Sequence, residues 1–206
     1  MSKNIKAIVF DFGGVIELYD GDGGRNEVAT LLGMTKKEFM NEYFKHNHLS
    51  NVANMPWEDM INEVVSALTN DQAIKDQARA IIRYKAEKRT LNQELLSLIP
   101  ILKQQDFKIG MLSNSDKQLR QRINDYNLAQ LFDVIAISGE IGHQKPHQEA
   151  FQILFDQLQV QPAEVIFIDD ATKSLEKAKE IGYLPILFRS NEQLKIDLKK
   201  MDIVVD

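Results

Sequence analysis

Two patterns of apolar and polar positions alternate along this chain of 206 residues, one typical of buried strands and the other of helices. Five short apolar runs, rich in β-branched residues, are typical of strands that are buried on both faces of a sheet. Most are separated by apolar positions with the 3.6-residue period of a helix, so the pattern predicts an open, parallel α/β sheet. The predicted strands cover residues 5–10, 107–113, 133–138, 164–169 and 184–189.

Helical periodicity precedes or follows each strand after the first. The stretch "NQELLSLIPILKQQ" contains Pro100, which is expected to kink or split that helix because its ring removes a backbone donor. The remaining predicted core helices cover residues 115–126, 147–159 and 174–182.

The interval between the first two strands breaks this rhythm, because it is far longer than a normal βα connection. It contains four further helical patterns, at residues 25–33, 35–47, 57–69 and 71–87. We therefore predict a helical cap of residues 17–88, inserted into a core of residues 1–16 and 89–206. The "DGDGG" stretch at residues 20–24 is a predicted hinge, and its later positions do not match a calcium loop.

Composition narrows the classes of partner. The chain is 44% hydrophobic and 27% charged, with a net charge of −5 and no cysteine. The mild acidity argues against a nucleic-acid partner, and the absence of cysteine excludes disulfides and cysteine-based zinc sites. No apolar run approaches the roughly 20 residues of a membrane helix, and the N-terminus lacks a secretory pattern. These features predict a cytoplasmic protein without a membrane partner, and they leave its oligomeric state open.

Polar residues stand where the apolar runs end, and one lysine precedes a helix. Ligands of open α/β sheets bind beyond the carboxyl ends of the strands, so these side chains are expected to converge. Carboxylates suit Mg²⁺, and a hydroxyl and an ammonium group suit phosphate oxygens. The residues are Asp11, Ser113, Asn114, Lys145, Asp169 and Asp170.

Each of these residues also has an ordinary structural interpretation. The "DD" pair and the "SNSD" stretch are good helix caps, Lys145 beside a proline is typical of a solvated surface, and His143 and His147 are expected to be loop residues rather than ligands. The order of the motifs at successive strand ends is what favours a shared site.

Four stretches, "IVFDFGGVI", "GMLSNSD", "GHQKPHQEAF" and "VIFIDDATKSLEKAKEIG", resemble the haloacid dehalogenase superfamily of hydrolases over essentially the whole chain. The resemblance implies a Rossmann-like core with a helical cap, and a magnesium-dependent phosphatase that hydrolyses a small phosphate monoester through an aspartyl-phosphate. It further implies that Asp11 is the nucleophile, that Ser113 and Asn114 bind or line the phosphate site, and that Lys145 steadies both nucleophile and phosphate.

The same resemblance implies a magnesium site formed by Asp11, the backbone carbonyl of Gly13, and Asp170 with Asp169 beside it. Most phosphatases of the superfamily carry an aspartate acid/base where this chain has Gly13. Such catalysis is worth about 10²–10⁴-fold. The "DFGGV" form resembles the branch near the glucose-1-phosphatases and the N-terminal domains of epoxide hydrolases, in which some members hydrolyse phosphate with glycine at this place.

The glycine leaves three hypotheses open. One is a phosphatase that favours good leaving groups, such as an anomeric sugar phosphate. Another is a 2-haloacid dehalogenase, whose halide needs no proton, although that chemistry needs no magnesium and the metal carboxylates are kept. The last is a catalytically weak phosphate-binding or interaction protein, which Ser174 supports because many relatives carry asparagine there. The candidate cap contacts to substrate are Tyr19, Arg25, Tyr43, His46, His48 and Trp57. For the aromatic residues among them, packing between the cap helices is the favoured interpretation.

Overall fold

A computed structural model describes residues 4–205 of the chain. Its central feature is a five-stranded parallel sheet in the order β5-β4-β1-β6-β7, which confirms the predicted α/β fold. The strands are β1 (Ala7–Phe10), β4 (Lys108–Ser113), β5 (Val134–Ile137), β6 (Val165–Asp169) and β7 (Leu184–Leu187). All five lie within the predicted ranges.

The sheet is covered by helices on both faces. Along β1, Ile8 and Phe10 belong to one apolar cluster and Ala7 and Val9 to the other, because successive strand residues point to opposite faces. Burial on both faces explains why this strand is a continuous apolar run. The core helices are α5 (Gln93–Lys103), α6 (Gln118–Asp125), α7 (Ser138–Ile141), α8 (Gln148–Leu158), α9 (Thr172–Leu175), α10 (Ala178–Ile181) and α11 (Asn191–Lys199).

The helix α5 runs through Pro100 without interruption, so the prediction of a split helix is wrong, whereas a kink at Pro100 stays a prediction. Pro100 is on the exposed side of α5, whereas Leu95, Ile99 and Leu102 are buried against the sheet. Burial of each such side chain contributes about 1.5–3 kcal/mol, which together outweighs the roughly 3 kcal/mol cost of an interior proline. Conversely, the helix predicted at 174–182 is divided into α9 and α10.

The long interval after β1 forms four helices that have a hydrophobic core of their own. They are α1 (Arg25–Leu31), α2 (Lys36–Asn51), α3 (Trp57–Leu68) and α4 (Gln72–Glu87). Phe39, Met60, Ile61 and Val64 are fully buried among them. This helical segment is joined to the sheet by a two-stranded antiparallel ribbon, β2 (Glu17–Leu18) and β3 (Thr90–Leu91), which the sequence did not reveal. The division of the chain at residues 17 and 88 remains a prediction.

The "DGDGG" stretch links β2 to α1 and has three left-handed glycines, Gly21, Gly23 and Gly24. Its two carboxylates contact lysines, with Asp20 Oδ2 3.0 Å from Lys85 Nζ and Asp22 Oδ2 2.9 Å from Lys36 Nζ. These contacts agree with the interpretation that the stretch is not a calcium loop, and its role as a hinge stays a prediction.

Candidate active site

The order of the strands brings the sequence-predicted carboxylates together. β1 lies between β4 and β6, and Phe10 pairs with Met111 on one side and Ile168 on the other. Asp11 follows β1 directly, and its backbone N–H donates to the carbonyl of Ile168 at 2.8 Å. Asp11 therefore lies beside Asp169 at the carboxyl edge of the sheet, where open α/β folds bind ligands.

Lys145 is the cation at the centre of this edge. Its buried ammonium group is 2.8 Å from Asp11 Oδ1 and 2.6 Å from Asp169 Oδ2. Burial alone would lower the pKa of Lys145, but the charges of Asp11 and Asp169 outweigh it and raise that pKa. Lys145 is therefore a fixed positive charge beside Asp11, and its interpretation as a solvated surface lysine is excluded.

Asn114 places Lys145 through the backbone rather than through the ammonium group. Its side-chain amide donates to the Lys145 carbonyl at 2.9 Å, and its side-chain oxygen accepts from the Lys145 N–H at 2.8 Å. Both polar ends of Asn114 are thus occupied. Ser113 is buried at the end of β4, where it pairs with Ile137. The predicted contacts of Ser113 and Asn114 with phosphate remain predictions.

The two oxygens of Asp11 have different surroundings. Oδ1 accepts from the Phe12 N–H at 2.7 Å and contacts Lys145. Within residues 4–205, no hydrogen bond engages Oδ2. Burial raises the pKa of Asp11 to about 8, with Lys145 opposing this shift and the charge of Asp169 adding to it. A buried carboxylate with one free oxygen is a suitable nucleophile once its negative charge is compensated.

The acidic residues also form a candidate cation site. Asp11, Asp169 and Asp170 each offer one oxygen, and these atoms lie within 4.8 Å of one another. Both oxygens of Asp169 already have partners, Lys145 Nζ and the Ala171 N–H, whereas Asp170 is exposed. Burial and the charge of Asp169 raise the pKa of Asp170. Three carboxylates beside one ammonium group carry surplus negative charge, so the donor set fits a hard divalent cation.

Gly14 allows the loop after β1 to approach this cation site closely. Its φ is +81°, and a Cβ at Gly14 would overlap the carboxylate of Asp170. A side chain here would be strained and would displace a predicted metal ligand. Gly13 differs, because its backbone lies outside the left-handed region and what a Cβ there would overlap is the Tyr19 hydroxyl.

A cluster of two arginines and three aromatic rings, called the roof below, lies over the loop that follows β1. Its members are Tyr19, Arg25, Tyr43, Trp57 and Arg89. The Arg25 guanidinium is 5.4 Å from the ring centre of Tyr19 and 5.8 Å from that of Tyr43. Arg89 is 5.7 Å from the ring of Tyr19 and 5.3 Å from that of Trp57. Four of the candidate cap contacts, Tyr19, Arg25, Tyr43 and Trp57, therefore belong to one cluster.

The two remaining candidate cap contacts, His46 and His48, make none of these contacts between guanidinium groups and rings. His48 is exposed, and His46 Nδ1 lies 3.0 Å from the Glu42 carbonyl on its own helix. Sequence reasoning missed Arg89 and Arg122, which both contact the buried carboxylate of Glu17, at 3.6 and 3.3 Å. The only signal for Arg89 was its place at the end of the long helical interval.

Comparison with known proteins identifies the family of this chain. Residues 8–187 match the family model described as haloacid dehalogenase-like hydrolase, and the chain belongs to that family. The family is one of hydrolases, and a phosphatase is among the relatives of this chain. The predicted family and enzyme class are confirmed.

No helix in the described part of the chain is both long and apolar enough to cross a bilayer.

Individual relatives are distant in sequence. The chain is 22% identical to bifunctional epoxide hydrolase 2 of Sus scrofa, over 96% of this chain and 39% of that protein. It spans 21–39% of the length of the three mammalian epoxide hydrolases that it matches. It is 24% identical to a phosphatase of Mycobacterium tuberculosis over 98% of both chains.

A solved structure shares the fold. The magnesium complex of a haloacid dehalogenase family enzyme from Bacteroides thetaiotaomicron superposes with a TM-score of 0.66, over 96% of this chain and all of the other, at 18% identity.

Proposed function

We propose that this protein is a magnesium-dependent phosphatase that hydrolyses small phosphate monoesters through an aspartyl-phosphate on Asp11. The observation that carries the proposal is the asymmetry of Asp11, whose Oδ1 is held by Lys145 and Phe12 while Oδ2 has no hydrogen bond within residues 4–205. The free oxygen is the one we assign to the attack on phosphorus.

Asp11, Asp170 and the carbonyl of Gly13 would hold Mg²⁺, with Asp169 orienting the set through Lys145. When bound, the ion would neutralise phosphate oxygens and offset the surplus negative charge of the acidic cluster. Lys145 supplies a fixed donor at the same edge, and buried Ser113 is the proposed hydroxyl donor to the phosphate. Donors fixed in advance stabilise the charge that develops on the transferring group.

The helical segment is proposed to act as a cap that sets specificity. Hydrogen bonds of the Asn54 side chain already join this segment to the core. Its amide N–H donates to the Gly139 carbonyl at 2.7 Å, and its side-chain oxygen accepts from the Lys117 N–H at 3.0 Å. Asn51 donates to Gln144 at 3.0 Å, next to Lys145. Closure of such a segment excludes water from the reacting groups. A sugar phosphate is the substrate class that we propose to test first.

The deciding experiment is an assay of the purified chain with an aryl phosphate and with 2-chloropropionate, each with Mg²⁺ and with a chelator. We expect phosphate release that requires Mg²⁺ and stops in Asp11→Asn, and no chloride release. Chloride release without metal would establish the dehalogenase alternative. Failure to turn over any phosphate ester, with phosphate still binding, would favour the non-enzymatic alternative.

A further inference from the structure

The hydroxyl of Tyr19 occupies the space that a side chain at residue 13 would enter. A Cβ built on Gly13 overlaps the Tyr19 hydroxyl oxygen and lies 3.1 Å from the ring carbon Cζ that carries it. The backbone of Gly13 lies outside the left-handed region, so it does not itself require glycine. What excludes a side chain from position 13 is therefore Tyr19.

The ribbon that joins the helical segment to the sheet puts Tyr19 in this place. The chain turns back after β1, with the Gly14 N–H donating to the Glu17 carbonyl at 2.8 Å and Gly13 bridging to Glu17. Tyr19 follows β2 directly, so its ring folds back over the start of the same loop. Arg25 and Arg89 flank the ring at 5.4 and 5.7 Å from its centre.

The Tyr19 hydroxyl is held in position without a partner of its own. Among residues 4–205, no hydrogen bond to this hydroxyl occurs, although the ring is fixed by two guanidinium groups. A tyrosine phenol, whose ordinary pKa is about 10, keeps its proton at neutral pH. A fixed donor with nothing to donate to is available for substrate.

Resting on the proposed phosphatase function, we propose that Tyr19 is the proton donor to the leaving oxygen, in place of the carboxylic acid that Gly13 cannot supply. As an Asp11 oxygen bonds to phosphorus, the ester O–P bond breaks and its electron pair stays with the leaving oxygen. That oxygen takes the Tyr19 proton and departs as the alcohol.

The second half of the reaction returns the proton. The Tyr19 phenolate takes a proton from water as the water oxygen attacks phosphorus, and the bond between phosphorus and Asp11 breaks. The products are inorganic phosphate, the Asp11 carboxylate and the Tyr19 phenol, so atoms and charges balance over the cycle. Arg25 and Arg89 stabilise the phenolate, because their positive charges lie beside the ring.

Other candidate donors are less well placed. Glu17 is almost fully buried, and its carboxylate lies between Arg89 and Arg122 at 3.6 and 3.3 Å. His48 is exposed on α2, and His46 lies against its own helix. Of these groups, only Tyr19 occupies the volume beside Gly13.

The test compares wild type and Tyr19→Phe on a series of aryl and alkyl phosphates, with kcat/KM plotted against the pKa of the leaving group. General acid catalysis is worth about 10²–10⁴-fold, so Tyr19→Phe should lose about 10²-fold or more on alkyl phosphates. It should remain close to wild type on 2,4-dinitrophenyl phosphate, whose leaving group needs no proton. The plot for Tyr19→Phe should therefore be steeper.

Tyr84→Phe is the matched control, because Tyr84 is an exposed tyrosine of α4 whose ring contacts Lys88 and no residue of the site. Its plot should have the wild-type slope. Equal slopes for wild type and Tyr19→Phe would overturn the assignment of the proton donor while leaving the phosphatase function intact, and so would an equally steep plot for Tyr84→Phe. A wild-type protein inactive even on 2,4-dinitrophenyl phosphate would overturn both proposals.

Discussion

The carboxyl edge of the sheet and the roof that the helical segment places over it are built from different interactions. At the sheet edge, Lys145 is buried between Asp11 and Asp169 at 2.8 and 2.6 Å. In the roof, Arg25 and Arg89 contact aromatic rings at 5.3–5.8 Å. The first region is fixed by charged hydrogen bonds at the ends of buried strands. The second combines softer contacts with rings and two polar contacts of its arginines, the bond from Arg25 to the Asp22 carbonyl at 2.7 Å and the contact of Arg89 with Glu17 at 3.6 Å.

This difference suggests a division of labour. Buried charges that depend on one another tolerate little displacement, since removing one partner leaves the other uncompensated. Contacts between guanidinium groups and rings are weaker and less directional, at about 0.5–2 kcal/mol each. The sheet edge therefore suits steps that all substrates share, whereas the roof suits the handling of the leaving group.

The largest expected effect comes from changing the nucleophile. Asp11→Asn should reduce turnover of an aryl phosphate by about 10⁴-fold or more, because an amide cannot replace the attacking carboxylate. The far-ultraviolet circular dichroism spectrum should be unchanged, which distinguishes lost chemistry from lost folding. Substantial turnover by this variant would show that the sheet edge is not the reactive region.

The metal site is tested by Asp170→Ala. The variant should bind Mg²⁺ at least roughly 10-fold more weakly, since a carboxylate ligand is lost, and activity should fall in parallel. Isothermal titration of Mg²⁺ into the wild type and the variant measures the affinity directly. Glu58→Ala, on the exposed face of α3, is a control that should keep the wild-type affinity, and equal affinities for all three proteins would contradict the role of Asp170.

The raised pKa of Asp11 predicts how stability depends on pH in the absence of metal. The unfolded carboxyl group ionises near 3.8, whereas the folded group keeps its proton up to about 8. Between these values the folded state binds more protons, so the free energy of unfolding decreases as pH rises.

Thermal melts in a chelator should therefore show Tm falling by about 5 °C or more between pH 5 and pH 8, and Mg²⁺ should reverse much of the loss at pH 8. Asp11→Asn should flatten the dependence. A variant that loses as much stability as wild type over this range would remove Asp11 as the cause.

The smallest effect is expected at a contact between the helical segment and the core, where the Asn54 side chain bonds to Gly139 and Lys117. Asn54 has a left-handed backbone, with φ +61°, so Asn54→Gly removes both side-chain bonds without straining the chain. Each bond is worth about 0.5–1.5 kcal/mol, and we expect KM to rise a few-fold while turnover at saturation changes little. Asn54→Ala loses the same two side-chain bonds but keeps a Cβ on the left-handed backbone, so it should be less stable than Asn54→Gly. The difference between the two variants therefore measures the backbone strain alone. An unchanged KM in Asn54→Gly would mean that this contact does not control closure.

The sequence predicts the sheet edge far better than the roof. Asp11, Ser113 and Asp169 could be placed together because parallel strands all end at one edge, a rule that needs only the strand pattern. Lys145 joined the predicted set only through its place between the third strand and the next helix, and the family resemblance supplied its role, since a lysine before a proline carries no structural signal by itself.

Four residues of the roof were candidate cap contacts, but their assembly with Arg89 could not be predicted because it depends on where separate helices meet. Arg89 lies seventy residues from Tyr19, and no periodicity connects them. The β2–β3 ribbon has only two residues in each strand, too few for an alternating pattern to be recognised. The split expected at Pro100 does not occur, because the packing of α5 against the sheet outweighs the local preference of proline.

The central claim, that Asp11 carries the phosphoryl group, is tested most directly by trapping the intermediate. The protein is mixed with Mg²⁺ and an aryl phosphate, quenched in acid, reduced with borohydride, and the peptide containing Asp11 is analysed by mass spectrometry. An acyl phosphate is reduced by borohydride to an alcohol, so we predict homoserine at position 11, only when substrate is present and not in Asp11→Asn. An unmodified Asp11 peptide from protein quenched during rapid turnover, or homoserine at Asp169 or Asp170 instead, would contradict the account.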